Sequence, residues 1–193
     1  MLKKLSRLKK LPSRLARNFI LKLEFVDTEF YMKKYLKWLK KRGVVINGTP
    51  NYISNTVYFD GSDFSMIELG DGCTISREVM FLTHDYAMHT AFRGLKDDIS
   101  ADAFLTLSEI DKKNKLLEQR KIVIGSNSFI GARSSLLPGT VIGNNCIVGS
   151  GCVVKGIVPD NSIVIGNPAK IIKKTSDWLE KKAQQLKESN KNG

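Results

Sequence analysis

The clearest pattern of apolar and polar positions lies between Ile124 and Lys170, where branched aliphatic residues recur at every sixth position. The series consists of Ile124, Ile130, Leu136, Ile142, Val148 and Val154. A small residue stands four positions after each of the first five. A helix repeats near 3.6 residues and a flat strand near 2, so a period of six fits neither. It predicts a parallel β-helix whose coils have three short faces, with the branched residues inside.

The same period occurs earlier in the chain, at Leu69, Ile75 and Phe81. Residues 44–58 before it are β-rich but irregular, and Val57 is the residue there that fits as an inward position. After Phe81 the period stops, and it restarts only at Ile124. Residues 86–121 between these series are polar, charged and without the period, so we expect them to leave the coil as an excursion.

Charge is concentrated at the amino terminus. The chain has a formal net charge of +12, and residues 1–43 account for +11 of it. A leucine repeat predicts a helix before Pro12, and a second apolar and basic run predicts another from Arg14 to about Trp38. The expected organisation is a basic helical arm (1–43), a β-helix body (44–174) with the excursion, and a carboxy-terminal capping helix with a tail (175–193). Trp178 and Leu179 are expected to cover the end of the coil.

Several segments resemble one known family. The phrases "IVIGSNSFIGARSSLLPGTVIGNNCIVGSGCVV", "IGNPAKII" and "FLTHDY" are similar to the hexapeptide-repeat acyltransferases, over roughly residues 52–174. The resemblance implies a left-handed parallel β-helix. The left hand comes from the resemblance alone, because general crossover preferences favour the right hand. It also implies an amino-terminal helical segment packed across the coil end. The family's excursion reaches a neighbouring subunit, which implies a homotrimer with sites between subunits.

His84, in the segment "LTHDY", is the candidate general base. Imidazole titrates near 6.5, close to working pH, which suits removal of a hydroxyl proton during acyl transfer. A base histidine is usually held through its other nitrogen. Asp85 is the adjacent candidate, although neighbouring side chains on an extended segment point to opposite faces. Asp60, Asp63 and Asp71 lie about one coil earlier, and the sequence does not choose among these carboxylates.

The resemblance implies acetyl-coenzyme A as the donor, with its pantetheine arm in a groove between coils. Carried over by motif, the backbone contacts fall on Gly131, Ala132, Gly149 and Ser150. The phosphate contacts fall on Lys155, Lys170 and Lys173.

The sequence favours an O-acetyltransferase acting on a hydroxyl of a sugar or surface glycan. N-acetylation of an amino sugar, a serine-type or antibiotic O-acetyltransferase, and a non-enzymatic β-helix scaffold remain alternatives. Two histidines cannot supply the three that a zinc lyase on this scaffold needs, so no metal is expected. The cysteines at 73, 146 and 152 fall at small inward positions and are expected to fill the core.

The location of the protein is predicted from its apolar segments and its charge. No run of eighteen apolar residues and no signal-peptide pattern is present, so cytoplasmic residence is the expectation. Basic residues alternating with Leu, Phe, Tyr and Trp in residues 1–43 favour peripheral contact with an anionic membrane. Nucleic-acid binding is not expected, because the body is near neutral and carries no such motif.

Overall fold

The computed structural model describes residues 13–61, 64–112 and 118–190. The helix expected before Pro12, Asp63 and the last residues of the tail lie outside this part of the chain. The described body is a left-handed parallel β-helix with helices at its amino- and carboxy-terminal ends, so the predicted fold class is confirmed.

The coils stack into three sheets, which form the three faces of the β-helix. Face A contains β1 (Val45–Ile46), β4 (Ile67–Leu69), β9 (Ile122–Ile124), β12 (Val141–Ile142) and β15 (Ile157–Val158). Face B contains β2 (Tyr52–Ile53), β5 (Thr74–Ile75), β10 (Phe129–Ile130), β13 (Ile147–Val148), β16 (Ser162–Ile165) and β17 (Lys170–Lys174). Face C contains β3 (Tyr58–Phe59), β6 (Met80–Phe81), β11 (Ser135–Leu136) and β14 (Val153–Val154). Every pair within a face is parallel except β16 with β17.

The six-residue period places branched side chains above one another inside the coil. On face B, Ile75 pairs with Ile130, which pairs with Val148, and all three are fully buried. Small residues fill the corners, where Ser134 Oγ donates a hydrogen bond to Gly149 O at 2.9 Å. The register continues into the first coil through Phe59, which pairs with Phe81. The choice of Val57 as an inward rung was therefore wrong, because Val57 occupies the preceding corner position and Phe59 is the rung.

The amino-terminal helices cover the first coil. They are α1 (Ser13–Lys22), a 3₁₀ turn (Leu23–Phe25) and α2 (Thr28–Lys41). Asp27 caps α2 by accepting a hydrogen bond from Phe30 N at 2.9 Å. Tyr31 and Tyr35 are fully buried and stacked, with ring centroids 5.2 Å apart. The Tyr31 hydroxyl donates to Ile53 O at 2.7 Å, which ties the helix to face B. Burial raises the pKa of Tyr31 far above its usual range.

The excursion contains two helices that the sequence pattern did not predict. They are α3 (Ala87–Leu95) and α4 (Ala101–Lys112), and they stand on a two-stranded antiparallel ribbon of β7 (His84–Asp85) and β8 (Glu118–Gln119). The coil resumes at Ile122, which pairs with Ile67 of the coil below. The ribbon therefore carries the chain out of the β-helix and back at a single edge.

The last helix, α5 (Thr175–Ser189), has no buried residue in the single chain. Leu179 is 55 % exposed and Trp178 is partly buried, so neither side chain is fully buried against the end of the coil in the single chain. The chain instead reverses direction after β16, and β17 pairs with it antiparallel. β17 pairs with the backbone groups at the edge of face B, so α5 is not needed to cover that edge.

Candidate active site

His84 lies where the chain leaves the coil, three residues after the buried rung Phe81. This position is the edge between face C and face A. Its side chain is 29 % exposed, and its Nδ1 is 2.5 Å from Oδ2 of Asp60. The imidazole is therefore held from one side and open to solvent on the other.

Asp60 directly follows β3 of face C, one coil below His84. It is 8 % exposed, and the same Oδ2 that contacts His84 also accepts a hydrogen bond from Thr83 N at 3.2 Å. This geometry assigns the His84 proton to Nδ1, facing the carboxylate. Nε2 is then the unprotonated nitrogen, which can accept a proton from a bound group.

Asp85 and Asp71, the other described carboxylates that were named from the sequence, contact backbone amides and not His84. Asp85 Oδ1 accepts a hydrogen bond from Ala87 N at 2.8 Å and so supports the start of α3. Asp71 Oδ1 accepts from Thr49 N at 2.7 Å, at the edge between faces A and B. Among the acidic candidates in the described chain, the geometry therefore selects Asp60 as the partner of His84.

Two aromatic or imidazole groups of the excursion lie near this edge. Tyr86 is 53 % exposed and meets the His84 ring edge-on, with centroids 5.3 Å apart. His89 Nε2 is 3.6 Å from Asp111 Oδ1, a contact that joins α3 to α4. Tyr86 thus forms an open wall beside the imidazole, whereas His89 connects the helices of the excursion. In the sequence, Tyr86 is distinguished only as the last residue of the segment "FLTHDY".

The predicted donor-binding turns lie at a different edge, between faces B and C. Gly131 N and Gly149 N donate to carbonyls of the next coil, Val148 O at 2.8 Å and Val164 O at 2.9 Å. For Ala132 N and Ser150 N, no hydrogen bond to any described residue is recorded. The N–H groups available for a ligand at these turns are therefore those of Ala132 and Ser150.

The two glycines have a packing role at this edge. A Cβ added to Gly131 would lie 2.5 Å from Ser150 N, and one added to Gly149 would lie 2.9 Å from a side-chain carbon of Ile165. Successive coils approach too closely here for a side chain. This close approach explains the glycines without reference to a ligand.

A groove of about 580 Å³ runs beside these turns. Its lining includes Ala132, Ser150 and two arginines, Arg77 and Arg133, that the sequence analysis did not select. Arg133 Nε donates to Glu78 Oε2 at 2.8 Å across the groove. Exposed amides together with guanidinium groups suit a long polar ligand that carries phosphates, so the residues present fit coenzyme A.

The predicted lysines occupy two further places. Lys155 follows β14 at the edge between faces C and A, which is the edge of His84 two coils away. Lys170 and Lys173 lie on the exposed strand β17 of face B. Lys170 pairs with Ile165, which packs beside Gly149, so Lys170 lies near the donor-binding turns, whereas His84 and Lys155 lie at another edge of the coil.

The described residues contain neither a metal-binding group nor an exposed cysteine. No group of three or more His, Cys, Asp or Glu side chains there could hold a metal ion. Cys73, Cys146 and Cys152 are buried, unpaired thiols. Burial raises the pKa of each, that of Cys73 to about 12, so these thiols stay protonated near neutral pH. In the same part of the chain, no helix is long and apolar enough to cross a bilayer.

Comparison with known proteins confirms the resemblance found in the sequence. Residues 121–156 match the family model described as bacterial transferase hexapeptide (six repeats). The chain is 31 % identical over 133 residues to the putative lipopolysaccharide biosynthesis O-acetyl transferase WbbJ of Escherichia coli. That alignment covers 69 % of this chain and 62 % of WbbJ. The chain is also 31 % identical over 142 residues to the probable acetyltransferase Rv3034c of Mycobacterium tuberculosis, covering 73 % and 39 % of the two chains.

The chain thus spans less than two thirds of either relative's length. Among solved structures, it is similar to a galactoside acetyltransferase in complex with coenzyme A, with TM-score 0.50 and 22 % identity. That match covers 86 % of this chain and 82 % of the other. It is also similar to the hexapeptide-repeat acetyltransferase VCA0836 of Vibrio cholerae, complexed with acetyl coenzyme A, with TM-score 0.51 and 18 % identity over 84 % and 86 % of the chains. At these identities the structures establish the fold. The protein is therefore a hexapeptide-repeat protein related to named acetyltransferases.

Proposed function

We propose that this protein is an O-acetyltransferase that moves an acetyl group from acetyl-coenzyme A to a hydroxyl of a sugar or surface glycan. The observation that carries the proposal is the 2.5 Å contact between His84 Nδ1 and Asp60 Oδ2 at an outer edge of the coil. This contact leaves Nε2 available as a base. The name of the relative WbbJ, a putative lipopolysaccharide O-acetyl transferase, supports a glycan as the acceptor.

His84 acts as the general base. Its Nε2 takes the proton of the acceptor hydroxyl as the hydroxyl oxygen attacks the acetyl carbonyl, and it then protonates the leaving thiolate. Asp60 holds the ring in position and stabilises the imidazolium that forms in between. The donor, when bound, supplies the acetyl thioester. A positioned base of this kind contributes roughly two to four orders of magnitude in rate.

The donor lies in the groove between faces B and C. Ala132 N and Ser150 N donate hydrogen bonds to amide carbonyl oxygens of the donor's pantetheine arm. Arg77 is available to the phosphates of the donor. Lys155, Lys170 and Lys173 remain candidates for the phosphates at the end of the coil. The assignment rests on the turns' unused amides and on the basic lining of the groove.

The active unit is a homotrimer with a site between each pair of subunits. His84 and the donor groove lie at different edges of one coil, so the edge of a second copy completes the site. The excursion helices then cover the neighbour's acceptor. Light scattering is expected to give about three times the chain mass of 21.6 kDa. An active, stable monomer would contradict this assembly.

The protein resides in the cytoplasm and contacts the inner face of the membrane through residues 1–43. Phe19, Phe25 and Val26 are 68, 74 and 83 % exposed among basic residues of the arm. Exposed aromatic groups beside cations are typical of a helix lying on an anionic bilayer. Co-sedimentation with anionic vesicles should weaken with salt and fall strongly when residues 1–17 are removed. Equal sedimentation of the truncated protein would leave the arm as a cap of the coil.

The acceptor class is tested by thiol release from acetyl-coenzyme A with a panel of sugars, amino sugars, serine and oligosaccharides. Mass spectrometry then locates the added acetyl group. The proposal requires an ester on a sugar oxygen. An amide product would place the protein with the N-acetyltransferases, and no acceptor-dependent release would favour a β-helix scaffold.

A further inference from the structure

A second groove, of about 1090 Å³, runs along α2 where this helix passes residues 49–51. Its floor is apolar and is formed by Met32, Leu36 and Pro50, of which Met32 and Pro50 are buried. Its wall is cationic. The lysines of the wall are Lys33, Lys37, Lys40 and Lys41, and they are exposed. An apolar floor beneath a row of ammonium groups is a surface for a molecule that is partly apolar and partly anionic.

The charge on the groove is strongly one-sided. Glu29 is the one acidic residue of its lining, against the four lysines. Within the described chain no ion pair is recorded for any of these lysines. Like charges three and four positions apart oppose helix formation, so the lysine row does not stabilise α2. A bound anion would remove this repulsion.

The amino-terminal segment that precedes α1 is not suited by charge to fill the groove. Residues 1–12 contain Lys and Arg and no Asp or Glu, so this segment would be repelled. The same holds for the corresponding segment of a second copy. The occupant suggested by charge is therefore an anionic molecule from outside the protein.

We propose that this groove binds the phosphate headgroup of an anionic membrane lipid, with the lysines on the phosphate and the apolar floor against the upper part of the lipid. The proposal rests on the proposed membrane contact and gives it a defined binding site. Phe25 and Val26, at the amino-terminal end of α2, are largely exposed and can enter the interfacial zone of the same bilayer. Compact ammonium groups are suitable ligands for phosphate.

The groove is separate from His84. Residues 49–51 connect face A to face B in the first coil, whereas His84 follows face C in the second. A change on the outer surface of α2 should therefore leave acetyl transfer to a soluble acceptor unaltered. Lipid binding and chemistry can be tested independently on the full chain.

The test compares the double variant Lys37→Gln/Lys40→Gln with the wild-type protein in co-sedimentation. Vesicles of phosphatidylcholine alone are compared with an equal mixture of phosphatidylcholine and phosphatidylglycerol. Each lysine near such a surface contributes about fivefold in affinity, so the variant should bind the anionic vesicles roughly thirty-fold more weakly. Both proteins should bind vesicles of phosphatidylcholine alone more weakly than the wild-type protein binds the mixed vesicles.

The matched control is Lys181→Gln/Lys182→Gln on α5, which removes the same charge from exposed positions at the other end of the chain. Wild-type-like binding by this control supports a lipid site in the groove. Equal losses of binding in both variants would show that net charge alone explains the effect, and would overturn the proposal. Dissociation of the oligomer by the groove variant would identify a subunit contact instead. Equal affinity for a DNA duplex would also contradict a lipid site. His84→Ala should still bind the vesicles, so loss of the proposed chemistry and loss of the lipid site remain distinguishable.

Discussion

Replacing Asp60 tests the proposed orientation of His84 directly. Oδ2 of Asp60 accepts from both His84 Nδ1 and Thr83 N, and the residue is 8 % exposed. An asparagine at this position can offer one carbonyl oxygen to the same two donors. Asp60→Asn therefore keeps the ring orientation and removes the negative charge that stabilises the imidazolium.

The expected magnitude follows from these contacts. Hydrogen bonds to a charged group contribute about 1.5–3 kcal/mol and neutral ones about 0.5–1.5, and the middles of these ranges differ by about 1.3 kcal/mol. This difference corresponds to roughly a tenfold lower kcat for Asp60→Asn. Asp60→Ala also releases the ring and leaves Thr83 N unpaired. We therefore expect a loss of about two to three orders of magnitude in this variant, near the full value of a positioned base.

The assay is steady-state thiol release with a saturating acceptor, and KM for acetyl-coenzyme A is measured alongside. We expect the loss to appear in kcat with little change in the donor KM, because the donor groove lies at another edge of the coil. Asp85→Asn serves as the comparison, since that carboxylate contacts Ala87 N and not the imidazole. Wild-type kcat in Asp60→Ala, or a larger loss in Asp85→Asn than in Asp60→Ala, would refute this orientation of His84.

Three further experiments test the packing of the coil and of the helix on it. Tyr31→Phe leaves the Ile53 carbonyl without its 2.7 Å donor and should lower stability by about 1.5 kcal/mol, which lowers Tm by roughly 3–6 °C; an unchanged Tm would mean that the helix is not tied to the coil. Thiol titration at pH 8 should find Cys73 unreactive in the folded protein, since burial raises its pKa to about 12, and reactive in denaturant; rapid native labelling would contradict its place in the core. Gly131→Ala forces a Cβ to within 2.5 Å of the next coil and should cost about 1–3 kcal/mol in chemical denaturation, whereas Gly94→Ala, with nothing within 4 Å, should not destabilise; equal effects would refute the close approach of the coils.

The regular coils could be predicted from the sequence because each face contributes one hexapeptide, and a buried rung therefore recurs without interruption. The first coil does not follow this rule. Its inward residues Ile46, Ile53 and Phe59 are separated by seven and then six positions, and ten separate Phe59 from Leu69. The six-residue frame, counted back from Leu69, meets Val57 and not Phe59, because the interval from Phe59 to Leu69 is not a multiple of six.

The excursion helices escaped prediction for a different reason. Tyr86 precedes α3 without a capping side-chain hydrogen bond, and neither α3 nor residues 101–111 of α4 contain a buried side chain in the single chain. Met88, Phe92 and Leu95 of α3 do stand at helical spacing, but this one short stripe lies in a segment that is otherwise polar and charged. The polar composition was therefore interpreted as an irregular loop.

The candidate site shows the same limit. His84 could be selected because it stands where the period breaks, but its partner could not. The contact between Asp60 and His84 depends on how the chain stacks one coil above another across 24 residues. That stacking depends on the irregular first coil. The separation of the donor groove from His84 likewise could not be predicted, because the sequence does not assign each turn to an edge of the β-helix.

The most direct measurement of the central claim is acetyl-coenzyme A turnover with a glycan acceptor by the wild-type protein, His84→Ala and His89→Ala. His89 is the matched control, because it contacts Asp111 within the excursion. We expect His84→Ala to lose roughly two to four orders of magnitude in kcat, with its fold retained and its donor affinity nearly unchanged. His89→Ala should stay within a few-fold of wild type. Retention of more than about a tenth of wild-type turnover by His84→Ala would contradict its role as the base.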